Sequence, residues 1–330
     1  SIEEPLQLHL AGSDLRSQEI SPQTWWWDPR PWLVVNRQVA GGEQLQLRRR
    51  DGTWQAITPV WPAITQVVPL GNGRGIAMVS SNGRGQEQIW LRRLKPAVLQ
   101  TEKTLLSTPR LEALEQLTAD PLLFGHLSSN LNGDLLVQKG GFQAGSQTTE
   151  LLLNNGSSQT LQVKTSGPLH LIPAGGGMVV PAKDGLRIDS ISEVRGSDAQ
   201  ILPGSREIGA FCSASGRAVL IRHWPDYRRS IELVIPGLAP RQLHLGDQAV
   251  IAVACNNAGT QIWAVLGRWS AQGREQTMVL MDESGRIKKQ KQLNPWTLQP
   301  GTQLLIDPAR RQLLMCVSEN SDNNTAIAAL

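Results

Sequence analysis

The chain has 330 residues, 40% of them apolar and 18% charged, with a formal charge of +4. That balance fits a folded globular protein and excludes disordered and fibrous classes. Its basic residues are split among distant segments, which argues against a nucleic-acid groove, and no apolar run approaches the roughly 18 residues of a membrane-spanning helix.

Gly (31) and Pro (20) are frequent, as expected where many short strands meet at tight turns. At the N-terminus Leu6-Gln7-Leu8-His9-Leu10 alternates apolar and polar, the mark of a half-buried strand, and stands apart from any repeat. Trp25-Trp26-Trp27 comes next. Alternate rings of a strand face opposite sides, so at least one is expected in the core.

From there the chain repeats itself. Turns fall near residues 30, 73, 133, 176, 216, 259 and 309, most of them built from Asn, Ser, Asp, Gly or Pro. An apolar strand precedes each turn (Ile64–Pro69, Ile208–Cys212) and another follows it (Ile76–Val79, Ala218–Ile221). A polar loop and an alternating strand come next (Ile89–Leu91, Ile231–Ile235), and a more polar fourth strand such as Arg286–Leu293 closes the unit. The glycine anchors at 133, 176, 216 and 259 recur at the roughly 40–45 residues that four short strands require.

Between the units at 73 and 133, Leu111, Leu114 and Leu117 sit at helical spacing behind Pro109. This predicts a short helix over about 109–118, lying in a groove between blades. The last unit runs out at Leu330 after three strands, so residues 5–10 are expected to supply its missing outer strand. The reading is an all-β, seven-bladed β-propeller in one domain, 1–330, closed by pairing of its two ends.

Gly73–Leu91, GRGIAMVSSNGRGQEQIWL, carries the repeat most clearly, and Ala258–Met281, Asp307–Leu330 and Asp28–Thr58 follow it more loosely. This grammar resembles that of TolB-like propeller repeats, where a Ser-Pro-Asp-Gly turn leads into a strand, a polar loop and a second strand. The Ser-Pro-Asp-Gly turn is intact in no unit here, and TolB-like proteins usually have six blades. The resemblance implies the fold and an exported, periplasmic or lumenal setting, and it carries over no catalytic residue.

Chemistry-bearing patterns are few. GNGRG at 71–75 lacks the Lys-Ser/Thr ending of a phosphate loop and leads into a strand. No Gly-x-Ser-x-Gly elbow is present. The five histidines have no metal-ligand spacing, although His126 and His170 fall in the first strands of successive units. Three cysteines cannot all pair with one another. Cys212 and Cys255 lie in apolar strands and are expected as buried free thiols. Glu207, Asp120 and Asp247 are the acidic residues at or near first strands, and no two of them make a pair for glycosidic chemistry. No cofactor and no metal site is expected.

The loops between second and third strands hold the strongest signal. They bring forward Arg84, Trp224, Tyr227, Arg228, Arg229, Trp269 and Arg274, with Trp61 in a connection at the same end. Exposed Trp, Tyr and Arg are the types enriched at binding hot spots. The expectation is a non-enzymatic binding or scaffold propeller, monomeric, that engages a protein partner through this loop face, with no nucleic acid and no membrane span. A leader or lipid anchor upstream of Ser1 fits the exported setting. The alternative is a hydrolase or other enzyme with its site at the central channel.

Overall fold

The computed structural model describes residues 9–10, 20–27, 32–48, 53–71, 75–94, 110–143, 145–174, 176–190, 200–212, 215–235, 237–271, 273–298, 304–307, 312–319 and 325–329. Among them every regular element is a strand. The strands gather into small antiparallel sheets, each formed from consecutive chain segments except the last, which His9–Leu10 joins from the N-terminus. The chain divides into two compact units. One is Trp25–Ala182 with Arg187–Gln200; the other is Ser1–Thr24 with Lys183–Leu186 and Ile201–Leu330.

The first sheet holds Ile20–Trp27, Trp32–Val39, Gly42–Arg48 and Trp54–Ala56. The second holds Ala63–Pro69, Gly75–Ser81, Glu87–Leu94 and Leu111–Gln116, and the third Phe124–Ser129, Leu135–Gly140, Thr148–Leu152 and Ser158–Leu161. The fourth is His170–Leu171, Gly177–Ala182, Gly185–Ser190 and Gln200–Pro203. The fifth is Arg206–Cys212, Arg217–His223, Arg229–Val234 and Arg241–Gly246, and the sixth Ala249–Cys255, Gln261–Ser270, Gly273–Asp282 and Ile287–Gln292. In the seventh, Gln312–Glu319 pairs with Trp296–Leu298, Leu305–Asp307 and Thr325–Ala329. His9–Leu10 adds to its edge, with His9 opposite Ala329 and Leu10 opposite Ala328. Residues 5–8 and the turns 28–30 and 72–74 lie outside the described residues, as do the side chains of Trp25, Trp26 and Trp27.

Within each unit the core sits between consecutive sheets, because apolar side chains line the faces that meet there. Val34, Leu45 and Leu47 of the first sheet meet Ile64, Val67, Ile76 and Met78 of the second. Val79, Ile89 and Leu91 then meet Leu127, Leu135 and Val137 of the third. In the other unit Val219, Ile231 and Leu233 of the fifth sheet pack on Val253, Ile262 and Ala264 of the sixth. Each such aliphatic side chain contributes about 1.5–3 kcal/mol on burial.

Polar side chains reach from one sheet to the next and satisfy the free edge of its first strand. Gln66 Oε1 accepts from Leu127 N and Gln66 Nε2 donates to Leu127 O, both at 2.8 Å. Glu43 Oε2 accepts from Ile64 N at 2.6 Å and Glu87 Oε2 from Gly125 N at 2.8 Å. Gln138 Oε1 does the same for Leu169 N, and Gln276 Oε1 for Leu298 N. These edge amides are obligate donors, so each bond removes a burial penalty that the ladder alone would leave.

Two expectations are corrected. Where a helix is expected over about 109–118, the described residues 111–116 form a strand: Leu111–Gln116 pairs antiparallel with Glu87–Leu94. The ladder runs Leu94 to Leu111 and then Arg92 to Leu114, so one extra residue bulges out of the outer strand. A bulge turns the strand period locally from two to three. That is why leucines spaced like a helix, Leu111 and Leu114, both pack on the core beneath them. Pro109 lies outside the described residues. The second correction concerns the cysteines. Cys212 and Cys255 are joined in a disulfide, with Cα atoms 5.5 Å apart. They end the first strands of two consecutive sheets, 43 residues apart, which is one repeat. The period itself brings them side by side.

Candidate functional site

The polar end of the fifth sheet is built on the hairpin between Arg217–His223 and Arg229–Val234. Trp224 N donates to Arg228 O at 3.0 Å and Tyr227 N to Trp224 O at 3.1 Å, closing a tight turn over Pro225 and Asp226. Tyr227 takes φ of 66°, left-handed backbone that a bulky residue rarely adopts. Its side chain leaves the protein: Tyr227 is 84% exposed. The turn is further fixed by Asp226, whose Oδ1 accepts from Arg228 N at 3.1 Å and whose Oδ2 meets Arg228 Nε at 2.6 Å. The Arg228 backbone N–H, and then its guanidinium, hold the Asp226 carboxyl below the usual carboxylate range. Arg229 Nη1 donates to Tyr227 O at 2.8 Å.

Trp224 points back onto the sheet. Its Nε1 donates to Ser230 Oγ at 3.0 Å, and the Arg222 guanidinium lies 3.7 Å from its ring centre. The connection into the sheet runs alongside, since His223 N donates to Ser205 O at 2.8 Å. His223 Nε2 and Glu207 Oε1 face each other at 3.5 Å.

In the sixth sheet the hairpin between Gln261–Ser270 and Gly273–Asp282 is the longest in the described chain. Trp269 stands near its tip, 76% exposed, opposite Arg274 in register. Arg274 lies 5.1 Å from the Trp269 ring centre, and Arg268 Nε donates to Glu275 Oε2 at 3.1 Å. In the second sheet Arg84 is exposed at the tip of Ser81–Glu87. Asn82 Oδ1 accepts from Arg84 N and Gln86 N, and Gly83 and Gly85 take the positive φ that the turn demands. Trp61 differs from the rest. It is half-buried, bridged by backbone to Glu43 and stacked on Trp90 at 5.2 Å.

The predicted residues thus separate into displayed side chains (Arg84, Tyr227, Arg228, Trp269, Arg274) and packed ones (Trp61, Trp224, Arg229). The sequence reading missed Arg206, Arg222 and Glu232. Arg206 and Arg222 are direct partners across the first two strands of the fifth sheet. Alternation around Arg222 and Trp224 marks one face of the strand, but the opposite arginine comes from a segment whose register only the folded sheet fixes.

The first-strand histidines are brought together. The rings of His126 and His170 stand edge to face, 5.3 Å apart. Burial, and then the neighbouring His170, push the His126 imidazole down to about 4, and burial pushes His170 down as well. A cavity of about 550 Å³ lies along the first strands of the fifth and sixth sheets, lined by Ile208, Phe211, Val250, Ile251 and Ile306 with Glu207 at one end. Among the described residues no three His, Cys, Asp or Glu side chains gather as metal ligands, and no helix is long and apolar enough to cross a membrane.

No protein-family model matches the sequence, and no curated protein matches it significantly. Solved structures do match. Oligogalacturonate lyase from Vibrio parahaemolyticus aligns over 99% of this chain and 97% of its own, with TM-score 0.64 and 11% identity. Oligogalacturonate lyase in complex with manganese aligns over 99% and 96%, with TM-score 0.62 and 12% identity. The uncharacterised protein lmo1340 from Listeria monocytogenes EGD-e aligns over 96% of each chain, with TM-score 0.64 and 10% identity. The fold is that of a β-propeller. At these identities the likeness speaks for the propeller fold alone, because one propeller scaffold hosts many unrelated functions.

Proposed function

We propose that the protein is a binding or scaffold propeller that engages a protein partner through the hairpin tips of its fifth and sixth sheets. The single observation that carries this is the display of Tyr227 and Trp269, 84% and 76% exposed, on tips fixed by local hydrogen bonds and flanked by Arg228 and Arg274. Large aromatics cost free energy in water and are enriched with Arg at hot spots. A side chain held out in left-handed backbone carries strain that folding alone does not reward.

On this reading the chain is one domain of seven blades, closed by the N-terminal strand on the last sheet, and monomeric. The pairing of His9–Leu10 with Thr325–Ala329 supports closure. The Cys212–Cys255 disulfide supports an exported, oxidising setting, since such bonds are rare where thiols are kept reduced. The test compares partner capture by wild type with that by a Tyr227→Ala, Arg228→Ala, Trp269→Ala variant of unchanged melting temperature. Equal recovery of every partner by both proteins sinks the loop-face reading.

A second reading places an enzyme site at the first strands, favoured by the His126–His170 contact. Turnover of oligogalacturonate by wild type, lost in His126→Gln, would select it over the scaffold.

A further inference from the structure

The third sheet holds a cavity at the end that carries the 141–147 loop. Its volume is about 380 Å³, within the roughly 300–1,000 Å³ of small-molecule pockets. All its walls come from residues 124–165, inside one compact unit. Gln138, Thr149 and Leu161 line it from one row of register partners, and so share one face of the sheet. Phe124 stands opposite Gly140, two residues beyond Gln138 on that face. A Cβ at Gly140 would collide with the Phe124 ring, so the glycine makes room for it. The ring is half-buried and stays outside the apolar clusters that the described residues form on either side of the sheet.

The polar groups divide in two. Gln138 and Thr165 are committed to the fold: Gln138 Oε1 accepts from Leu169 N at 2.7 Å, and Thr165 Oγ1 donates to Gly167 O at 2.8 Å. Gln147, Thr148, Thr149, Thr160 and Gln162 also line the cavity, and their side chains make no hydrogen bond among the described residues. For four of them, which are exposed, water serves. Thr149 differs: it is 9% exposed, and a hydroxyl at that depth calls for a partner.

The chemistry of these groups selects the ligand. A hydroxyl and a carboxamide each donate and accept. An anion asks for donors only, and a cation for acceptors only. A ring of hydroxyl groups asks for both, and its C–H face asks for an apolar surface such as Phe124. Lys139 Nζ lies 3.8 Å from Glu150 Oε2 and is already compensated, while Lys164 adds one exposed donor. We propose that this cavity binds a neutral pyranose sugar, stacked on Phe124 and hydrogen-bonded by Thr149 and Gln147.

The probes are maltotriose, cellotriose and chitotriose, each in millimolar excess over the full chain, read by saturation-transfer difference NMR. At least one is expected to take up saturation, most strongly at its ring C–H protons. Phe124→Leu should weaken that binding by roughly fivefold or more. Thr149→Val keeps the shape and removes only the hydroxyl. It should weaken binding by roughly threefold or more. Its melting temperature should hold or rise, because a methyl replaces a buried hydroxyl without a partner. Gln290→Ala, exposed on the outer strand of the sixth sheet, should change neither. No saturation of any of the three sugars overturns the proposal. So does equal binding by wild type, Phe124→Leu and Thr149→Val, or a lower melting temperature of Thr149→Val with unchanged binding. Displacement of the sugar by an equal concentration of inorganic phosphate would make the cavity an anion site and overturn the neutral ligand. The loop-face reading fails separately: sugar binding here, with unchanged partner capture by the Tyr227, Arg228, Trp269 variant, sinks only that claim.

Discussion

Cys212 and Cys255 occupy the same place in successive repeats and are bonded to each other, tying the first strands of the fifth and sixth sheets together at one end. The bond closes a loop of 43 residues. The chain-entropy treatment gives about 4 kcal/mol for a loop of that size. Replacing both cysteines by Ser should lower unfolding free energy by about 2–4 kcal/mol in a denaturant titration, and reductant should do the same to wild type. A variant as stable as wild type, or more than the one thiol of Cys316 counted in the wild-type protein, would remove the bond from the account.

His126 and His170 set a pH dependence. Burial and the neighbouring ring hold His126 near 4 in the folded protein, against an ordinary value of 6.5. As pH falls, the unfolded chain takes up the proton first, so folding loses free energy between about 6.5 and about 4 and levels off below. The loss attributable to this ring is a few kcal/mol at most. His126→Gln should flatten that part of the stability profile and leave neutral pH little changed. An unchanged slope between pH 6.5 and 4 would place the titration elsewhere.

Tyr227 in left-handed backbone should trade stability against binding. Tyr227→Gly relieves a conformation costing about 1–2 kcal/mol and adds unfolded-chain entropy of about 0.5–1 kcal/mol. The melting temperature should hold or rise while partner capture falls. A clear drop in melting temperature would show that Tyr227 is a packing residue.

Gln276 is 3% exposed and holds both backbone groups of Leu298, accepting from N at 2.6 Å and donating to O at 3.1 Å. Gln276→Leu keeps the size but leaves a buried donor and acceptor unpaired. It should cost about 2–4 kcal/mol. The comparison with Lys289→Leu, on the outer strand of the same sheet, checks that the loss is not a general effect of added apolar surface.

Much of this was legible in the chain. Ile76–Val79, Ile89–Leu91 and Ala218–Ile221 read as strands because period-two patterning and flanking turn residues act locally. Leu111 and Leu114 misled because a bulge in the ladder reproduces a helical spacing, and a bulge exists only against a partner strand. Tyr227, Trp269 and Arg274 could be named because loop position follows from the repeat. Trp61 and Trp224 could not be told from them, since whether an aromatic ring faces water or its neighbour is settled by packing.

The sequence by itself determined the repeat, the all-β class and the loops that carry aromatic and basic side chains, because turn chemistry and alternation are properties of a few adjacent residues. Only the tertiary structure decided that Cys212 meets Cys255, that Gln66 seals the edge at Leu127, and that Arg206 faces Arg222. Those are relations between residues far beyond the reach of local patterning, fixed by strand register and by the packing of one sheet on the next.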